Sequence, residues 1–184
     1  MKTILLIALV STSLCGLLGG WTKRSYQEND LGIEMAVRKA YEQYSKENSA
    51  SEADFFERLT VYSQLVNGIN YKMCFFAIDG EPNIIRQFTI SSPPFSNPRG
   101  EYTLYEESVL KATENGNLLN SNLVNNLGVK LGEYLGDNNV KVANVKYAEN
   151  DDSVFYFVST EEGKNAKYLI VQDKQENSFD VHSW

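Results

Sequence analysis

The stretch that decides the fold is Leu59-Thr60-Val61-Tyr62-Ser63-Gln64-Leu65-Val66-Asn67-Gly68-Ile69-Asn70-Tyr71-Lys72-Met73-Cys74-Phe75-Phe76. Its first part alternates with a period of two. Leu59, Val61, Ser63 and Leu65 fall on one face, and Thr60, Tyr62, Gln64 and Val66 fall on the other. That is the pattern of a strand. Asn67-Gly68 follows, the strongest short hairpin signal, because a type I′ turn needs positive φ at both central residues. Residues 69–78 form a second β-rich run. The spacing predicts two antiparallel strands joined by a tight turn at residues 67–68.

Working outward, Asp79-Gly80-Glu81-Pro82 breaks the second strand. Residues 84–90 read as a third strand, 91–100 as a Pro-rich loop and 102–105 as a fourth strand. Upstream, Asp30 can cap a helix in which Ile33, Ala36, Val37, Ala40, Tyr41 and Tyr44 recur at helical spacing. Arg38, Glu42 and Gln43 lie on its other face, and residues 46–52 have loop composition. A helix followed by an antiparallel meander is α+β: the sheet needs cover on its apolar face, and the amphipathic helix supplies it. The expected architecture is an antiparallel sheet wrapped around one helix.

The second half repeats this order. Leu123, Leu127, Leu131 and Leu135 are helically spaced, with Gly128, Gly132 and Gly136 on a neighbouring stripe. A glycine inside a helix costs about 1 kcal/mol relative to Ala, so close packing is expected to compensate. Strands are expected at 140–147, 154–159, 168–171 and 179–181. Moving the first half by 81 residues lays Val61 on Val142 and Met73-Cys74-Phe75-Phe76-Ala77 on Val154-Phe155-Tyr156-Phe157-Val158. Phe88-Thr89-Ile90 then falls on Leu169-Ile170-Val171 without a gap. The sequence predicts the same α+β unit twice in tandem, over 16–107 and 118–184, behind a signal peptide at 1–15.

Composition and charge exclude several classes. The chain is 42% apolar with four Pro, which excludes disorder, collagen and coiled coil. Its formal charge is −7 without a basic stripe, which argues against nucleic acid as a partner. Met1-Lys2, the apolar residues 4–10 and the small residues Ser13 and Cys15 read as a secretory signal cleaved after Cys15. The apolar run is short of a spanning helix, so the product is expected in the secretory lumen or outside the cell, with no membrane attachment after cleavage. Cleavage would leave Cys74 as the single thiol, read as buried and inert.

No Gly-x-Ser-x-Gly, phosphate-binding loop or His-Glu-x-x-His occurs. A thiol hydrolase would have to pair Cys74 with His182 from different halves. A core thiol and a solvated tail imidazole are the simpler reading, so no catalytic residue is expected. Glu149-Asn150-Asp151-Asp152 lacks the spacing of a known cation loop and reads as a solvated turn; no metal and no cofactor are expected.

Gln64-Leu65-Val66-Asn67-Gly68 reads Gln-x-Val-x-Gly where a strand enters a tight turn. There the chain resembles the cystatin family of papain-like cysteine peptidase inhibitors. Leu17-Leu18-Gly19-Gly20 resembles the family's apolar-Gly trunk, and the order of trunk, helix, hairpin, strand, second loop and strand is the family's order. Pro94-Phe95 stands where the family carries Pro-Trp. The resemblance covers 17–107 well and 118–184 by pattern only.

It implies a reversible, competitive and non-covalent inhibitor that fills the V-shaped cleft of a papain-like, cathepsin-like peptidase. Gly19 and Gly20 would let the trunk swing past the nucleophile. Gln64, Leu65, Val66, Asn67 and Gly68 would form the first wedge, and Pro94 and Phe95 the second. Leu17 to Gly20 also reads as the tail of the signal, and cleavage after Gly20 would remove the trunk. A variant Gly68→Arg is expected to abolish binding while folding stays largely intact.

The departures are specific. Secreted cystatins usually carry two disulfides near the C-terminus, and this chain has none. Phe95 replaces Trp. The second half has Val145, Tyr147 and Glu149 where the shift by 81 places Gln64, Val66 and Gly68, so it is expected to be degenerate and non-inhibitory. Asn48-Ser49 resembles the site by which some cystatins block legumain-type peptidases, but Glu47 and Ala50 depart from that motif. The competing class is a secreted binding or scaffold module that keeps the fold and does not inhibit.

Overall fold

The structure is a computed structural model that describes residues 20–24, 30–47, 49, 51, 59–76, 83–114, 120–161 and 167–183. The chain divides into two compact units, Met1–Asp79 with Arg86–Ser108, and Gly80–Ile85 with Val109–Trp184.

In the first unit Asp30 opens helix α1, Leu31–Tyr44. Its carboxylate accepts the Gly32 and Ile33 N–H groups at 3.1 and 3.2 Å, satisfying two donors that the first helical turn leaves over. The apolar stripe faces inward as the spacing predicts: Ile33, Ala36, Val37, Ala40 and Tyr44 are buried. They pack against Val61, Tyr71, Met73, Phe75, Phe88 and Ile90 of the sheet. Small Ala36 and Ala40 let the helix lie close, and aromatic rings fill its far end. Tyr44 meets Phe75 edge-on at 4.9 Å, and Phe75 stacks on Phe88 at 5.6 Å.

The sheet runs β1-β2-β3-β4-β5, with β1 Thr22–Arg24, β2 Leu59–Val66, β3 Gly68–Phe76, β4 Ile84–Ser91 and β5 Thr103–Lys111. Two features differ from the sequence reading. Tyr62, Cys74 and Phe76, on the face away from α1, are buried as well. The continuous run Met73-Cys74-Phe75-Phe76 carries this two-sided burial, which strict alternation would not. Strand β5 is also longer than the expected 102–105. Within the added length, Glu107 takes an ion pair with Arg86 of the neighbouring β4 at 3.4 Å.

The second unit opens with helix α2, Ser121–Leu135, capped by the Asn120 side chain on the Leu123 N–H. A second sheet follows in the order β6-β7-β8-β9: Val142–Glu149, Ser153–Thr160, Lys167–Asp173 and Phe179–Ser183, each antiparallel to the next. Leu127 and Leu131 pack on Val145, Val154, Tyr156, Val158 and Ile170.

The glycine stripe is explained locally. Gly136 ends the helix at φ +70°, and the Asp137 N–H returns to the Gly132 carbonyl at 3.0 Å. A Cβ on Gly132 would lie 2.6 Å from the Asp137 carbonyl oxygen, so the turn closes only over glycine.

The ungapped shift by 81 keeps faces in phase throughout β7, where Val154 and Tyr156 face the helix as Met73 and Phe75 do. In β6, Val142 packs toward the helix as Val61 does, but a bulge between Val142 and Asn144 puts Val145 and Tyr147 on that face beyond it. In β8 the helix-facing residue is Ile170 rather than Leu169. The two sheets therefore share an order of elements but not a gapless register.

Candidate functional site

The hairpin predicted from Asn67-Gly68 is present, but its turn is not type I′. Gln64 pairs with Asn70, Leu65 with Ile69 and Val66 with Gly68, leaving Asn67 alone at the tip. Gly68 has φ +124°, whereas among the described residues the only side-chain-bearing positions with positive φ are Asn83 and Asn177. A neighbouring loop crowds this position. A Cβ on Gly68 would sit 2.9 Å from the Pro93 carbonyl oxygen and 3.1 Å from Ser92 Oγ. The tip is folded against a second loop.

That second loop begins where β4 ends. The Ser92 N–H donates to the Ile69 carbonyl at 2.8 Å, and the Ile69 N–H donates to Ser92 Oγ at 2.8 Å. Ser91 Oγ donates to Asn70 Oδ1 at 2.8 Å. Beyond this clasp the Asn97 N–H closes a turn on the Pro94 carbonyl at 2.9 Å, and the Gly100 N–H closes another on the Asn97 carbonyl at 3.0 Å. Phe95 lies in the first of these turns and is 60% exposed. Leu65 and Val66 on the hairpin are 42% and 41% exposed. Two clasped loops at one end of the sheet thus present apolar side chains to water.

The N-terminal strand leads to the same end. Thr22 pairs with Ser63, Lys23 with Tyr62 and Arg24 with Val61. Trp21 and Gly20 lie just beyond Thr22, the first paired residue of the strand. Lys72 Nζ lies 4.2 Å from the centre of the Trp21 ring, a cation–π contact that holds this strand on the sheet. Gly20 is exposed, with nothing within 4 Å of where a Cβ would stand. Gly19 and Asn48 lie outside the described residues.

Beside α1, the hydroxyl of Tyr71 occupies the space that a Cβ on Gly32 would fill. Burial first, then Tyr102 and Asp30, push this phenol up to about 12, with Arg24 opposing. Arg24 stands 3.8 Å from Asp30, and the Tyr102 ring stacks on Tyr71 at 6.5 Å.

Cys74 is 1% exposed, with Sγ 3.8 Å from Gln87 Oε1, so its thiol is not presented to a substrate. Among the described residues no three His, Cys, Asp or Glu side chains gather where they could share a metal ion. No described helix is long and apolar enough to cross a membrane.

The second unit closes its own hairpins with charge. Asn150 Oδ1 accepts the Asp152 and Ser153 N–H groups at 3.0 and 2.7 Å. Lys174 Nζ donates to the Asn150 carbonyl at 2.6 Å and pairs with Glu149 at 3.1 Å, and its N–H donates to the Asp152 carbonyl. Of the three residues aligned with the wedge, Val145 is buried, Tyr147 is half-buried and Glu149 is ion-paired.

Sequence reading named the hairpin and Pro94-Phe95 but missed Ser91, Ser92, Asn70 and Trp21. The one local hint was Ser91-Ser92 ahead of Pro93, hydroxyls placed where proline removes a backbone donor. Compared with known proteins, the whole chain matches no curated protein and no solved structure. Helix α1, the clasped hairpin and the loop beside it all fall within residues 23–108, which match the family model of the Cystatin domain.

Proposed function

We propose that the chain is a secreted protein inhibitor of papain-like cysteine peptidases. In this reading residues 1–15 are a cleaved signal, 16–107 the inhibitory cystatin-like domain and 118–184 a degenerate cystatin-like domain without a wedge. The observation that carries it is the clasp between two loops that leave Leu65, Val66 and Phe95 exposed at one end of the sheet. A peptidase cleft binds extended chain. A paired hairpin already spends its backbone groups on its own ladder, so it can occupy the cleft with little ordering cost and without offering an extended scissile bond.

In this reading each residue has a role. Val66 and Leu65 fill the floor of the cleft with apolar contact, and Gln64 meets its rim. Asn67 and Gly68 make the bend thin. Pro94 and Phe95 add an apolar anchor beside it. Gly19 and Gly20 let the preceding residues turn into the substrate pockets without carrying a carbonyl to the thiolate. Asn48 is a secondary site toward legumain-type peptidases.

The test is titration of the mature protein against papain. A competitive, reversible Ki in the nanomolar range or below supports the reading. Val66→Asp and Phe95→Ala are each expected to raise that Ki by more than about tenfold, with urea midpoints unchanged because both side chains are exposed. The second reading is a non-inhibitory binding module on the same fold, favoured by Phe95 in place of Trp. It predicts no inhibition of papain at micromolar concentration. N-terminal sequencing of the secreted product tests the signal cleavage and shows whether Gly19 and Gly20 survive it.

A further inference from the structure

We infer that Ser92 is the positioning residue that keeps the hairpin an inhibitor instead of a substrate, an inference that rests on the inhibitory reading above. The residue next to the wedge glycine is Ile69, and both of its backbone polar groups are taken by one serine. Its carbonyl accepts the Ser92 N–H at 2.8 Å, and its N–H donates to Ser92 Oγ at 2.8 Å. In a regular antiparallel ladder the second acceptor would be a backbone carbonyl. Here the hydroxyl takes that place at the point where Pro93, which has no N–H, ends the strand.

The geometry of the tip depends on this substitution. The Pro93 carbonyl is brought to 2.9 Å from the missing Cβ of Gly68, so the second loop packs directly on the wedge backbone. Ser91 Oγ on Asn70 Oδ1 adds one further stitch at 2.8 Å. Hairpin and loop therefore move together, and Leu65, Val66 and Phe95 are presented as one rigid edge. Without the hydroxyl, the Ile69 N–H loses its acceptor and the tip gains freedom to open. An opened tip is extended chain, the form that a peptidase hydrolyses by adding water across a peptide bond to give a carboxylate and an amine.

The experiment uses the mature chain with Ser92→Ala and Ser92→Thr against papain, read by Ki, by dissociation rate and by mass spectrometry of the incubated inhibitor. The inference expects Ser92→Ala to bind about tenfold more weakly, the loss of one hydrogen bond, mainly through faster dissociation. It also expects slow cleavage within residues 64–70. Ser92→Thr keeps the hydroxyl and is expected to restore both affinity and resistance. If Ser92→Ala inhibits and resists cleavage as the wild type does, the inference is wrong while the inhibitory reading stands. If Ser92→Thr is as weak as Ser92→Ala, the hydroxyl is not the cause and the inference falls. A wild-type chain that does not inhibit papain overturns both. Should Ser92→Ala fail to fold, amide exchange in the wild type decides: strong protection at Ile69 supports the clasp, and free-peptide exchange there refutes it.

Discussion

Gly68 shows how far a single position reaches. Its φ of +124° is a conformation that side chains rarely adopt, and its missing Cβ leaves room for the Pro93 carbonyl. The variant Gly68→Arg, expected from sequence to spare the fold, would disturb the tip itself. Even Gly68→Ala should destabilise the chain by about 1–3 kcal/mol, measured as a lower urea midpoint. No change would show that the Ser92-Pro93 loop is not packed there. Tyr71 makes a second claim at this scale. Burial first, then Tyr102 and Asp30, hold its folded pKa near 12 against an ordinary 10.0. The folded state therefore keeps a proton that the unfolded state releases, so stability is level below pH 10 and falls as pH rises toward 12. Tyr102 and Tyr156 are raised too, by burial and neighbouring charge, and add to the same fall. Tyr71→Phe should flatten part of it in urea melts taken across that window. An identical slope would contradict the burial of this phenol.

The elements explain why these residues meet. Helix α1 is set by Asp30 at one end and by a stripe of small and apolar residues along its buried face. Asp30→Ala leaves the Gly32 and Ile33 N–H groups without their acceptor and should cost about 1 kcal/mol, visible in equilibrium unfolding. It also removes a charge that raises the Tyr71 pKa, so the alkaline fall should start from a lower stability and be shallower. Sequence periodicity found this helix and the β2–β3 hairpin because both are local patterns. It shortened β5, whose largely exposed face carries Glu106 and Glu107 and so lacks the apolar alternation of a half-buried strand. It also missed the face shift within β6, because a bulge moves side chains without changing composition.

At the scale of the molecule, the two units are not cut at one point in the chain. Gly80–Ile85 belongs with the second unit, although it precedes β5 in sequence. The Asn83 carbonyl accepts the Ala112 N–H at 2.9 Å, and Ile85 is fully buried. A chain ended after Ser108 would strip this segment of its partners and shorten β5. It should melt roughly 5 °C below the full chain, the equivalent of losing one backbone hydrogen bond. Equal midpoints would show that Gly80–Ile85 contributes nothing to stability.

The sequence alone determined the α+β class, the capped amphipathic helix, the hairpin and the Gln64 to Gly68 segment, because each is written in residues close together along the chain. Only the tertiary structure decided the conformation of the turn at Gly68, the clasp from Ser92 to Ile69 and the burial of both faces of β3. These depend on atoms more than twenty residues apart, whose meeting no local pattern encodes.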